Sequence, residues 1–528
     1  MAFRDDEKPL ATPNAVAGSK DGLVKMTIPT YSKKDVALTA DSVTAVVEIK
    51  ATSSTAVREG LDLVAVLDVS GSMGGEKIES VKRALKFVIM KLTPADRLSI
   101  VTFHSSADRL NPLQSMTQAT QDVLKAKVGT LVADGGTDIK AGLDLGLAIL
   151  AGRVHTESRT ANIFLMSDGQ TSGDPTVVNP GDVSVYTFGF GRGTDHKLLT
   201  ALAKKSVGGT YSSVPDGTNL SAPFATLLGG LLTVVAQDVR LTLTPKTADG
   251  DLDTMVVAPG TDYTQTTNAN GTITIKFGTL FAGEARKVAV NFTLKDSDDD
   301  EKYNATLAVA RHSYAAQETP QPPQNIQRVR TPTPSSPADA GAEELAVQAE
   351  EVRRRHAGKI SEASEMAEEA GKTKDDGKLA LAREKLVDAQ NALEDILVDD
   401  GDKMVDALRA ELMKLLEYMD SHQVYDELGR PYALATVTSH GRQRAAGRGD
   451  EEEVPSLYVT PRMVKYLEQA KKFEENTEEP VPSAEEDAKK DLEDNPLGAI
   501  AAPLAFYLDS AIQALQAIQK IVAATSST

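Results

Sequence analysis

The chain has 528 residues, 41% of them hydrophobic, enough for several domains of ordinary size. Its 57 Lys and Arg against 76 Asp and Glu give a net charge of −19, a balance opposed to general nucleic-acid binding and to adhesion on anionic membranes. Cysteine is absent, so these residues form no disulfide, zinc finger, RING, iron–sulfur centre or cysteine nucleophile; a reducing location is expected, cytoplasmic with the nucleus left open.

In chain order, residues 1–20 are polar, lack the apolar core of a secretory signal and are expected to be disordered. Residues 21–58 alternate in VKMTIPTY, VALT and SVTAVVEIKAT, β-branched runs of period two that predict strands. From Gly60 the pattern changes. LDLVAVLDV is a continuous apolar run, as in a parallel strand buried on both faces. Helices are expected at Ile78–Leu92, Gln118–Val128, Ile139–Leu150, His196–Lys205 and Leu220–Val235, between the strands RLSIVTF, ANIFLMSDG and VSVYTFGFG. That order spells an α/β unit over residues 59–235, a doubly wound, mostly parallel, Rossmann-like sheet.

Strand-like text returns over residues 236–316, in VRLTLTP, TMVVAP, GTITIKFG, ARKVAVNFTL and YNATLAVA, with turns at NANG and DSDDDE. Residues 21–58 are too few for a sandwich of their own. They are expected to pair with 236–316, so that the α/β unit is inserted in a β-sandwich. Residues 317–342 contain the stretch Gln317–Pro337, which reads as a Pro-rich, extended linker without a core.

A helical domain is expected at 343–425, where Leu379, Leu386, Leu393 and Leu397 form one stripe and Val405, Leu408, Leu412, Leu415 and Met419 another. Residues 426–528 are expected to hold a loop over Arg430–Val454, a helix opened by Thr460-Pro461, and an acidic tail. Leu497–Val522 reads as an amphipathic or buried helix, too interrupted by Pro503, Asp509 and Lys520 to span a membrane. The acidity has an address: from Thr319 onward 25 basic residues face 40 acidic ones, or −15, whereas Glu59–Val235 holds 16 against 17.

The chemistry gathers on three loops of the α/β unit. The strand ending at Leu67 runs into Asp68-Val69-Ser70-Gly71-Ser72, a carboxylate and two hydroxyls at alternate positions of a turn. Asp134-Gly135-Gly136-Thr137-Asp138 precedes a helix, and Ser167-Asp168-Gly169 ends a strand. All three loops should reach the carboxyl edge of the sheet, where open α/β folds bind ligands. Their donors are oxygens throughout, which suits Mg²⁺, with Mn²⁺ or Ca²⁺ as alternatives. Asp134 and Asp138 read equally well as outer carboxylates or as solvated loop residues. Gly189-Phe190-Gly191-Arg192-Gly193 has GxGxG spacing and is not expected to bind a dinucleotide. Arg353-Arg354-Arg355, among acids, reads as a solvated helix face.

The DVSGS, GGT and SDG set, in this order, resembles the metal-ion-dependent adhesion site of a von Willebrand factor type A domain, with LTPADRLSIVTF and TFGFGRGTDHKLLTALAKKSVGGTYSSV in support. The resemblance implies that Ser70, Ser72 and Thr137 ligate the metal through hydroxyls, and that Asp68 and Asp168 bind it directly or through water. It also implies that an acidic side chain of a partner protein completes the shell. VALTADSVTAVVEIKA, the helical block near Glu343–Met419 and VTPRMVKYLEQAKKFEE resemble a plant-type family in which this domain is followed by a Vwaint domain. Some members of that family carry a RING finger and act as ubiquitin ligases, a role these cysteine-free residues cannot fill. The expectation is a protein-binding scaffold and not an enzyme. A metal-dependent enzyme or subunit, drawing on His104, Ser105, Asp134 or Asp138, and a scaffold with an empty site are the alternatives. Whether acids of the tail, Glu451–Glu453 or Glu485–Asp487, cover the metal edge is left open.

Overall fold

The computed structural model describes residues 7–10 and 22–494 except 28, 54–57, 192, 216–220, 248–249, 318–319, 337–340, 395–402, 450–456 and 478, together with 508, 512 and 515. The predicted disorder of residues 1–6 and 11–20, Leu397 of the first leucine stripe, the acids at 451–453 and most of the helix expected at 497–522 therefore lie outside the described residues.

The first strands are β1 (Val24–Met26), β2 (Thr30–Tyr31), β3 (Asp35–Ala37) and β4 (Asp41–Ala51). The α/β unit follows: β5 (Gly60–Asp68), α1 (Glu76–Lys91), β6 (Arg97–Phe103), β7 (Ala107–Arg109), β8 (Gln114–Ser115), α2 (Gln118–Gly129), α3 (Ile139–Ala151), β9 (Arg159–Ser167), β10 (Ser184–Phe190), α4 (His196–Lys205), β11 (Tyr211–Val214) and α5 (Ala222–Leu231). Its sheet runs β11-β10-β9-β5-β6-β7, with β8 also on β6; only β7 and β8 are antiparallel. Every residue of β5 is buried because both faces are covered. Leu63, Ala65 and Leu67 pack in one core with Phe87 of α1 and Phe224 of α5, while Val64 and Val66 pack in another with Leu143 and Ile149 of α3.

The remaining strands are β12 (Val234–Pro245), β13 (Leu252–Val257), β14 (Thr264–Thr267), β15 (Ile273–Phe281), β16 (Ala285–Leu294), β17 (Tyr303–Ser313) and β18 (Gln324–Thr331). One sheet runs β1-β4-β16-β13, with β2 on β4, and the other β14-β15-β12-β17-β18-β3. Because β4 pairs with β16 along its length, from Asp41 opposite Leu294 to Lys50 opposite Ala285, the α/β unit is inserted in the sandwich. The helix expected at 220–235 stops at Leu231, since Val234 already opens β12.

The linker reading of 317–342 needs correction. Its prolines flank a proline-free run, Gln324–Thr331, which pairs with β17 and, in parallel, with β3. Ile326 and Arg330 face inward, and Arg330 holds Asp251 at 2.8 Å and donates to the carbonyls of Ala37 and Leu38.

The carboxyl-terminal part comprises α6 (Ala342–Thr373), α7 (Asp376–Glu394), α8 (Lys403–Tyr418), α9 (His422–Val424), a π turn at Tyr425–Gly429 running into α10 (Arg430–Arg442), α11 (Pro461–Glu475) and α12 (Ala484–Asp494). The loop expected from Arg430 is therefore helical as far as Arg442. Helix α10 packs against α6, α4 and β11 and is buried nearly all round, which erases the one-sided stripe that marks a surface helix. The arginine run is also corrected. Arg353 is buried and paired with Glu350 at 2.6 Å, and Arg354 donates to the Pro259 carbonyl, so these two hold the helical part to itself and to the sandwich. Among the described residues, no helix is long and apolar enough to cross a membrane.

Helix α11 lies on α5 at glycines. A Cβ on Gly230 would stand 2.3 Å from the Phe281 ring and 2.7 Å from Met463 Cε. Gly230→Ala is expected to destabilise the protein by about 1–3 kcal/mol in urea denaturation, as overpacking does. Gly129→Ala, where a Cβ meets nothing within 4 Å, should be neutral or slightly stabilising. Equal effects of the two changes would refute the close-packing account.

Candidate metal site on the carboxyl edge of the sheet

The three loops named from sequence meet at one edge and are stitched together by backbone. Asp68 ends β5 fully buried. Its Oδ1 accepts from the Ser70 amide at 2.9 Å and its Oδ2 from the Ser167 hydroxyl at 2.6 Å, so the turn after β5 and the end of β9 fix one carboxylate. Ser70 Oγ and Ser72 Oγ lie 3.1 Å apart. The Gly71 amide donates to the Gly135 carbonyl at 3.0 Å, and the Asp134 amide to the Val69 carbonyl at 2.8 Å, which zips the second loop onto the first. Gly135 takes φ +80°, a left-handed conformation that glycine adopts without strain, and sits against the His104 ring.

The third loop closes the group. The Thr137 carbonyl accepts from both the amide and the hydroxyl of Ser172, at 3.0 and 2.9 Å. Asp168 is fully buried at the end of β9, and its carbonyl accepts from the Asp195 amide at 2.8 Å. Lys77, in the first turn of α1, places Nζ 3.2 Å from Asp168 Oδ2. Burial pushes the Asp68 carboxyl up, and the charge of Asp168 adds to it, against the hydrogen bonds from Ser167 and Ser70. Two buried carboxylates, beside clustered hydroxyls, form a donor set that fits a hard divalent cation.

The structure thus brings Asp68, Ser70, Ser72, Thr137 and Asp168 onto loops of a single edge. Asp138 caps α3, accepting from the Ala141 amide at 3.0 Å, and exposed Asp134 accepts from the Gly135 amide, so both serve loop geometry. His104 Nδ1 accepts from the Ser105 amide, and Ser105 Oγ from the Gly136 amide. Two participants escaped sequence reasoning. Ser167 stands in the sequence only as part of a tripeptide, and Lys77 lies just before the helix expected at Ile78–Leu92, with no motif to mark it. The open question about the tail resolves for Asp487. It pairs at 2.6 Å with Lys91, at the far end of α1, about 24 Å of helix away from the three loops.

A second cluster, His356, Glu411 and His440, is buried among α6, α8 and α10. Both Nε2 atoms converge on Glu411 Oε2, at 2.9 and 2.8 Å. Arg353 Nη1, which can only donate, stands 3.5 Å from His440 Nδ1, and Arg448 lies 2.7 Å from Glu411 Oε1, close but too poorly directed for a hydrogen bond. A lone pair on Nδ1 puts the His440 proton on Nε2, facing the carboxylate. The cluster is therefore a hydrogen-bonded tie between helices, without a lone pair for a metal at His440 Nε2.

A parallel sheet with this three-loop edge is the architecture of a von Willebrand factor type A domain, and residues 62–226 match the family of that description. Residues 402–472 match the family described as VWA / Hh protein intein-like, so the chain joins a type A domain to a Vwaint domain. The chain is 31% identical over 250 residues to E3 ubiquitin-protein ligase WAV3 of Arabidopsis thaliana, covering 44% of this chain and 31% of that protein. It is 29% identical over 162 residues to inter alpha-trypsin inhibitor, heavy chain 4, of Mus musculus, covering 27% and 17%. The matched region spans about a third or less of these relatives' own length. In fold it is similar to the solved von Willebrand factor type A protein from Catenulispora acidiphila, with a TM-score of 0.59 at 17% identity over 80% of this chain and 98% of that one.

Proposed function

We propose that this chain is a protein-binding module in which Asp68, Ser70, Ser72, Thr137 and Asp168 hold Mg²⁺, and the cation captures an aspartate or glutamate side chain of a partner protein. The observation that carries this reading is the pair of buried carboxylates, Asp68 and Asp168, facing clustered hydroxyls on one cross-linked edge. Neutral hydroxyl ligands leave the ion electrophilic, and Mg²⁺ keeps coordination positions for water or a partner's carboxylate. The domain around it is close to charge neutral, so an acidic partner meets little repulsion. The reading assigns no catalytic residue. The ligase activity in the names of the Arabidopsis relatives stays with those proteins.

The test is Mg²⁺ titration by calorimetry on the full chain, followed by capture of partners with and without EDTA. Thr137→Ala, at a half-buried position, should weaken Mg²⁺ binding at least about tenfold, the effect of losing one hard-ligand contact, and Asp68→Ala should abolish it. Bound partners should be released by EDTA and lost in both variants. Partner binding that survives EDTA and both substitutions would sink the metal mechanism.

A further inference from the structure

The proposed metal reading leaves one charge at the edge unused. Lys77 extends from the first turn of α1, the positive end of the helix dipole, where a cation is disfavoured. Its side chain is only 17% exposed, and its ammonium stands 3.2 Å from the Asp168 carboxylate, which has no exposure at all. Asp168 in turn acts electrostatically on buried Asp68. The ammonium therefore supplies positive charge to the same carboxylate pair that a divalent ion would neutralise.

We infer that Lys77 is a resident counter-ion of the metal edge, competing with the divalent cation for Asp168 and so setting the Mg²⁺ concentration above which the edge can capture a partner. The inference rests on the metal reading above and adds its regulation. Without metal, the ammonium screens two buried like charges and keeps the three loops in the arrangement described. With metal, its charge opposes the incoming cation whether the side chain stays on Asp168 or swings aside. Lysine suits this role, because its ammonium is a compact charge on a four-carbon flexible stem and can leave without dismantling the loop. Most of the Lys77 side chain is sheltered and the carboxylate fully so, which limits solvent screening of the competition.

The experiment compares the full-length wild type with Lys77→Met and Lys77→Arg, by Mg²⁺ and Mn²⁺ calorimetry and by melting in EDTA and in Mg²⁺. Lys77→Met is expected to bind both ions about tenfold more tightly, and Lys77→Arg, which keeps the charge, to stay within about threefold of wild type. In EDTA, Lys77→Met should melt below wild type, and Mg²⁺ should close or reverse that gap. A purely structural lysine would give the lower melting temperature without the tighter binding. If wild type binds Mg²⁺ and Lys77→Met binds it no more tightly, the counter-ion role is wrong and the metal reading stands. If neither binds Mg²⁺ at millimolar concentration, the metal reading falls and this inference with it.

Discussion

Replacing Arg444 by alanine is expected to cost the protein about 3–5 kcal/mol, the range for breaking a buried, hydrogen-bonded ion pair from one side. Arg444 follows α10 and is fully buried. Its five N–H groups meet five acceptors. Nε and Nη2 grip Glu284 at 3.0 and 2.9 Å, Nη2 also reaches the Thr279 carbonyl, and Nη1 reaches Tyr186 Oη and the Gly208 carbonyl. The guanidinium also lies 3.9 Å over the Phe281 ring. Tyr186 and Gly208 belong to the type A domain, Glu284, Thr279 and Phe281 to the sandwich, and Arg444 to the carboxyl-terminal part, so one side chain joins all three. Arg286 would still pair with Glu284 at 2.8 Å, which places the loss toward the lower end of the range. Arg444→Lys should recover less than half of it, because an ammonium has three donors and no planar fork. Urea denaturation is the measurement. A loss below about 1 kcal/mol would show that the segment is held by its backbone bonds, such as the Ser213 amide to the Gly447 carbonyl, and not by this guanidinium.

The elements legible in the sequence were those whose surroundings impose a simple period. β5 is buried on both faces and reads as an unbroken apolar run; β4 and β16 alternate toward their ends, while their centres, Ala45–Val47 and Val288–Val290, are buried throughout. Helix α10 has no such period. It carries Thr436, Thr438, Ser439 and His440 into the interior, where local bonds satisfy several of them, including Thr438 Oγ1 to the Ala435 carbonyl and Ser439 Oγ to the Arg444 carbonyl. Polar text that is buried and satisfied looks like loop text. β18 was hidden for a different reason, since the prolines on either side dominate the composition while the strand between them contains none. The carboxyl edge of the α/β sheet follows the same logic. Asp68, Ser70 and Ser72 are legible because one turn fixes their spacing. Ser167 and Lys77 act through partners 99 and 91 residues away, and only the pairing of β5 with β9 and the start of α1 beside them bring those contacts about.

Acidification from about pH 7.5 to about pH 5 is expected to remove about 4 kcal/mol of stability, well before the ion-paired carboxylates of Asp62, Asp96 and Glu284 begin to protonate. Burial pushes His196 down to about 3 and His440 down to about 4, against an ordinary value of 6.5. His196 Nδ1 lies 2.6 Å from Tyr211 Oη, with Arg430 as the nearby charge. His440 is faced by Glu411, which pulls its proton affinity up, and by His356 and Arg353, which push it down, with Tyr458 on its other nitrogen. In the unfolded chain both imidazoles take up protons below 6.5; in the folded chain they stay neutral. Stability is therefore undiminished above 6.5 and falls as the pH drops, by about 1.4 kcal/mol per unit for each histidine. His312, lowered by the same cause, adds in the same direction. The carboxylates of Asp62, Asp96 and Glu284 are held below their ordinary values of 3.8–4.5, so their contribution stays intact until the pH reaches that range. The loss between 6.5 and about 5 thus comes from the histidines and not from the ion-paired carboxylates. Urea denaturation across it should show the decline in wild type and about half of it in His196→Gln. A loss under about 1 kcal/mol by pH 5 would mean that the interior around His196 and His440 opens enough to hydrate an imidazolium, and that the tie among α6, α8 and α10 is looser than its hydrogen bonds indicate.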